Sequence, residues 1–170
     1  MHHLLVYSQH NVLGGDVAGH PCLISWDMRT PTEYARYIDH DQPLSFNDLA
    51  QPATEPSLES LEITCGFFPG DWPIQITHAG GITVGDVLDA IHNTIIRRIS
   101  HAEWNLLSER QQDRIKVVFN NRWQAAADPD VCRQNGVLRM DCLLQHTKFG
   151  GLSVSLEADD SCILSLRRQA

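Results

Sequence analysis

Long apolar runs are missing from this chain of 170 residues, and with them the roughly 18 consecutive apolar residues that a spanning helix requires. Met1 to Ser8 hold no lysine or arginine and no extended apolar stretch, so neither membrane insertion nor a secretory leader is expected. The cysteines Cys22, Cys65, Cys132, Cys142 and Cys162 are odd in number, scattered, and without a C-x-x-C pair. This argues against a disulfide framework and for buried thiols in a reducing, cytoplasmic compartment. Positive charge is scarce in residues 1–96, where Arg29 and Arg36 face twelve carboxylates, whereas residues 97–170 carry eleven cations against nine. With a net charge of −8, the acidic part repels phosphates within a Debye length, so nucleic acid and anionic membrane are not expected partners.

Recognised catalytic and cofactor motifs are also missing. There is no G-x-S-x-G elbow to present a nucleophilic serine, and no cysteine is locally distinguished from the other four. The Gly80-Gly81 step before Thr83 lacks the G-K-[ST] ending, and Asp86 and Asp89 would put negative charge where a phosphate should sit. His101-Ala102-Glu103-Trp104-Asn105 lacks the second histidine of H-E-x-x-H, and His10, His20 and Cys22 match no structural zinc spacing. No metal and no cofactor is expected.

What is present describes one globular domain spanning 1–170. A charged fraction of 20% and a hydrophobic fraction of 42% are near the globular average, so the chain should bury a core of its own. Residues 1–57 hold Pro21, Pro31, Pro43, Pro52 and Pro56 with Gly14, Gly15 and Gly19, and predict a loop-rich N-terminal wrap. Within it, Leu4 to Tyr7 and Cys22 to Trp26 each suggest an edge strand.

Residues 58–170 form the strand–helix–strand body. Leu61 and Ile63, then Trp72, Ile74 and Ile76, alternate with polar partners at the period of a strand. Thr83 with Asp86 is a start signal, and Val84, Val87, Leu88, Ile91 and Ile95 lie on one helical face behind it. Ser100 with Glu103 and Ser108 with Gln111 repeat that signal. The second opens a stripe of Ile115, Val118, Phe119 and Trp123 that should stop before Asp128-Pro129. Leu138, Met140, Cys142 and Leu144 alternate as a strand, and Leu152, Val154 and Leu156 answer Cys162, Leu164 and Leu166 as a hairpin around Ala158 to Ser161. The expected fold is α+β: an antiparallel sheet with two or three helices packed on one side and the loop-rich wrap around it.

Seven local patterns occur in the order seen in one family: Leu4-Leu5-Val6-Tyr7-Ser8, Trp26-Asp27-Met28-Arg29, Asp48-Leu49-Ala50-Gln51-Pro52-Ala53-Thr54, Trp72-Pro73-Ile74, Thr83-Val84-Gly85-Asp86-Val87-Leu88, Arg139-Met140-Asp141-Cys142-Leu143 and Phe149-Gly150-Gly151-Leu152. Through them the chain resembles an uncharacterised domain family abundant in mushroom-forming basidiomycete fungi. The resemblance implies no particular chemistry. The His- and Gly-rich Gln9 to His20 segment and Cys162-Ile163-Leu164 depart from the family pattern.

The candidate ligand-binding residues are Trp26, Asp27, Arg29, Arg122, Arg139 and Asp141. On strands, Asp27 with Arg29 and Arg139 with Asp141 would share a face about 7 Å apart, close enough to bind one ligand or each other. A structural ion pair is the competing reading. The arginines of the helical block, Arg97, Arg98, Arg110, Arg114 and Arg122, would meet an acidic partner, RNA stacked on Trp104 or Trp123, solvent, or the acidic N-terminal part of the chain. The leading expectation is an intracellular domain that binds a protein or a small ligand in the groove between wrap and sheet. The alternative is a small metal-independent isomerase, cyclase or hydrolase of secondary metabolism, with Asp27 or Asp141 as acid or base and Arg29, Arg122 or Arg139 holding an anion. A homodimer through an exposed edge strand is a third reading.

Overall fold

The computed structural model describes residues 1–7, 22–68, 72–155 and 160–169. The described residues hold two sheets, six α-helices and a short 3-10 turn at Thr32–Tyr34, in an α+β arrangement. The first sheet is a small ribbon in which β1 (Ile24–Ser25) pairs antiparallel with β2 (Arg36–Tyr37). A four-residue helix α1 (Phe46–Leu49) follows, and then β3 (Ser60–Thr64) and β4 (Ile74–Thr77) form a hairpin. The alternation read from the sequence sets its register. Leu61 opposite Ile76 and Ile63 opposite Ile74 turn buried residues inward, while Glu62 and Gln75 face out and bond each other.

Helix α2 (Val84–Ile95) packs on the inner face. Its capping box is complete, with Thr83 accepting from the Asp86 N–H and Asp86 accepting from the Thr83 N–H. The expected stripe of Val84, Val87, Leu88, Ile91 and Ile95 is fully buried. Each such side chain contributes about 1.5–3 kcal/mol on burial, so this helix anchors the core. The other two start signals also stand where expected, opening α3 (His101–Asn105) and α4 (Glu109–Gln124). Helix α5 (Pro129–Gln134) was not anticipated: Asp128 caps it through the Val131 N–H, with Pro129 in the first turn, where a missing N–H costs nothing.

The chain returns through α6 (Arg139–Cys142) to β5 (Lys148–Val154) and β6 (Ser161–Arg167). The strand order is β4-β3-β6-β5, antiparallel within each hairpin and parallel where β3 meets β6. The C-terminal hairpin has the expected partners, Leu152 opposite Leu164 and Val154 opposite Cys162. Leu156 and most of its turn lie outside the described residues.

Two expectations need correction. Leu138 to Leu144 is not a strand: Asp141 Oδ2 accepts from the Leu138 N–H at 2.9 Å, and this local cap starts the helical turn α6 instead. An apolar alternation this short fits either geometry. The stripe on α4 is only partly covered, since Ile115 is buried whereas Val118, Phe119 and Trp123 stay half-exposed. In the wrap, the edge pieces expected at Leu4 to Tyr7 and Cys22 to Trp26 are present in part, as a bridge from Val6 to Leu152 and as β1, and both hydrogen-bond to β5. Leu152 donates to the Leu5 carbonyl and Tyr7 donates to the Leu152 carbonyl, while the Trp26 carbonyl accepts from Phe149 and Met28 donates to Thr147. Leu4, Leu5, Ile24, Trp26 and Met28 are all core residues. Gly14, Gly15, Gly19 and Pro21 lie outside the described residues.

Phe149-Gly150-Gly151-Leu152 is explained by this close approach. A Cβ at Gly151 would lie 2.8 Å from the backbone of Tyr7, and its φ of +108° is one that side-chain-bearing residues avoid. At Gly150, where the register shifts, a Cβ would lie 2.7 Å from the Ser165 carbonyl oxygen.

Candidate functional site

Asp27 and Arg29 do meet. As the chain leaves its bridge to Lys148, a turn folds Arg29 back so that its Nε and Nη2 donate to the two Asp27 oxygens at 2.9 and 2.7 Å. Lys148 Nζ lies 3.5 Å from the same carboxylate. Burial raises the Asp27 pKa, and the bonds from Arg29 outweigh it, leaving the carboxyl below its ordinary value. Trp26 beside them points into the core, donates through Nε1 to the Thr30 carbonyl at 3.0 Å, and contacts the rings of Phe149 and His92.

Arg139 and Asp141 do not pair with each other. On a helix, positions i and i+2 diverge, and each residue finds a distant partner. Asp141, 1% exposed, accepts from Arg122 Nε at Oδ1 and from Arg122 Nη2 at Oδ2, both at 2.8 Å. Its Oδ2 also caps Leu138. Arg122 completes its fork with the Gly136 carbonyl and the Cys132 thiol. Arg139 reaches Glu103 Oε1 at 2.8 Å and lies over the Trp72 ring at 4.7 Å. These two pairs clamp α4 and α3 onto α6. Among the described residues, no ion pair joins the Asp27 group to the Asp141 group.

Glu103 and Trp72 were missed as partners of Arg139 because they stand far away along the chain, although the capping role of Glu103 was legible. Burial works to raise the Glu103 pKa, and the Ser100 backbone and hydroxyl together with Arg139 carry it down to about 2. The thiols behave oppositely: burial, with the charges of Asp141 and Glu103, pushes Cys142 up to about 12. A thiol so protonated is no nucleophile at neutral pH.

Open space lies elsewhere: a cleft of about 460 Å³ is bordered by Met1 to His3 and Gln51 to Ser57 of the wrap, and two further spaces lie on the helical side. A shallow groove of about 570 Å³ is bordered by Arg98, Ile99, His101, Trp104 and Val137. A smaller cavity of about 250 Å³ lies between the turn at Gly66-Phe67, the first half of α4 and the segment Cys142 to His146. Among the described residues, no three His, Cys, Asp or Glu side chains gather as metal ligands; His10 and His20 lie outside them. Nor is any described helix long and apolar enough to cross a membrane.

The geometry is that of a mixed α+β domain whose central charged residues are bonded to one another. The chain belongs to the Family of unknown function (DUF6699), whose pattern matches residues 24–161. No curated protein and no solved structure matches it.

Proposed function

We propose that the protein is a non-catalytic, intracellular binding domain that takes a small ligand or a protein partner on its helical side rather than between wrap and sheet. One observation carries this reading. Asp141, the best-placed acid–base candidate, is 1% exposed with both oxygens bonded inside the protein. A general base must reach its substrate's proton directly or through one water. Asp27, held by Arg29 and Lys148, is better suited to fastening the wrap than to proton transfer. Trp26, Arg122 and Arg139 serve the same framework. All five cysteines are free thiols, which supports a reducing compartment.

The test is a thermal-shift screen of the wild type, Asp27→Asn and Asp141→Asn against metals, nucleotides, coenzymes and a metabolite extract. A ligand at a hundred times its dissociation constant raises stability by about 2.7 kcal/mol. The reading expects the ligand-induced shift to persist in both variants even where their unliganded stability is lower. Loss of the shift in a variant that still folds would return Asp27 or Asp141 to a ligand site and favour the enzyme alternative.

A further inference from the structure

Resting on that binding reading, the geometry points to the cavity between Phe67, α4 and His146 as a site for a small aromatic carboxylate, and we propose it as the ligand site of this domain. The volume sets the size. At about 250 Å³ it falls below the roughly 300–1,000 Å³ of pockets for drug-sized ligands, so it suits a one-ring molecule rather than a nucleotide or a coenzyme.

The lining sets the chemistry. Ile115 and Leu143 are buried apolar residues, and Phe67 and His146 stack with ring centroids 4.6 Å apart and planes 34° apart. Phe67 remains 46% exposed, an aromatic face that its own fold does not cover. A flat apolar body extends such a stack with offset geometry.

The charge comes from α4. Arg114 borders the cavity, has no carboxylate partner among the described residues, and presents a fork matched to a carboxylate. Its neighbour along the helix, Asp113, is engaged elsewhere, pairing with Lys116. Gln111, one turn earlier, gives its carboxamide oxygen to the Ser108 cap, which leaves its NH2 group to donate. Cys142 at the wall stays a neutral thiol and adds no negative charge. The wall is also held in an uncommon conformation. Leu144 has φ of +56°, a backbone state that costs a leucine energy and tends to occur where a site must be shaped.

The probe is benzoate, titrated into the full chain labelled for amide NMR, with benzamide and acetate as controls lacking the charge and the ring. Saturable shifts at Phe67, Ile115 and Leu143 to His146 are expected, with benzamide and acetate each binding at least tenfold more weakly. Arg114→Gln, an exposed change, should weaken benzoate at least tenfold, the scale of one charge-assisted hydrogen bond; Arg110→Gln, one turn away on the same helix, should not. Absence of saturable benzoate shifts at these residues, or equal affinity in Arg114→Gln, overturns the assignment. In that case, a metabolite that binds elsewhere and is released unchanged leaves the binding reading intact. Conversion of a ligand bound in this cavity sinks the binding reading while the location stands.

Discussion

Asp141→Ala removes three hydrogen bonds in one step, the two from Arg122 and the one that caps α6. It also strands a guanidinium whose side chain is 18% exposed, with only the Gly136 carbonyl and the Cys132 thiol as remaining partners. Removing one member of a buried pair costs about 3–5 kcal/mol, and the neighbouring carbonyl puts the expected loss near the lower end, about 3 kcal/mol. In a chain of this size each kcal/mol moves Tm by about 2–4 °C, so calorimetry should record a fall of about 6–12 °C. Urea unfolding gives the same quantity independently. Adding Arg122→Met should restore part of the loss, because the stranded charge is the larger fault. If Asp141→Ala stays within about 1 kcal/mol of the wild type, the pair behaves as a surface bridge and the clamp argument fails.

Gly151→Ala should destabilise by about 1–3 kcal/mol from backbone strain alone, with more from the clash against Tyr7; hydrogen exchange should show faster opening of the Leu5 to Tyr7 pairing. Thr83→Ala removes the cap of α2 and should cost about 1 kcal/mol in urea unfolding. Glu103 has its folded pKa depressed from 4.5 to about 2. The stability it supplies is therefore fully present above pH 4.5 and lost as the pH falls toward 2, and Glu103→Gln should flatten that part of a Tm-against-pH curve.

Local signals were legible and distant ones were not. The stripe and cap of α2, the caps of α3 and α4, and the pairing of Leu152 with Leu164 all depend on neighbours within a turn or a hairpin. The parallel pairing of β3 with β6 joins Glu62 to Ser161, and no local pattern encodes it. The alternation from Leu138 to Leu144 places Arg139 and Asp141 on one strand face, because a pattern over so few residues cannot tell a strand from a helical turn. The true partners, Glu103 and Arg122, come from two other helices. The cavity beside Phe67 draws on three separate segments, so only the fold reveals it. The Gly150-Gly151 step was visible as a motif, and its cause, the Tyr7 and Ser165 backbones, required the structure.

The claim that this domain binds without converting is tested most directly by a mass balance. The protein is incubated with a metabolite mixture, bound compounds are separated from free ones, and each is weighed by mass spectrometry after release. Recovery of every bound compound unchanged, in equal amounts from the wild type and Asp141→Asn, is the predicted result. A compound consumed and replaced by a product with the wild type, but not with Asp141→Asn, would contradict the account and make Asp141 a participant in chemistry.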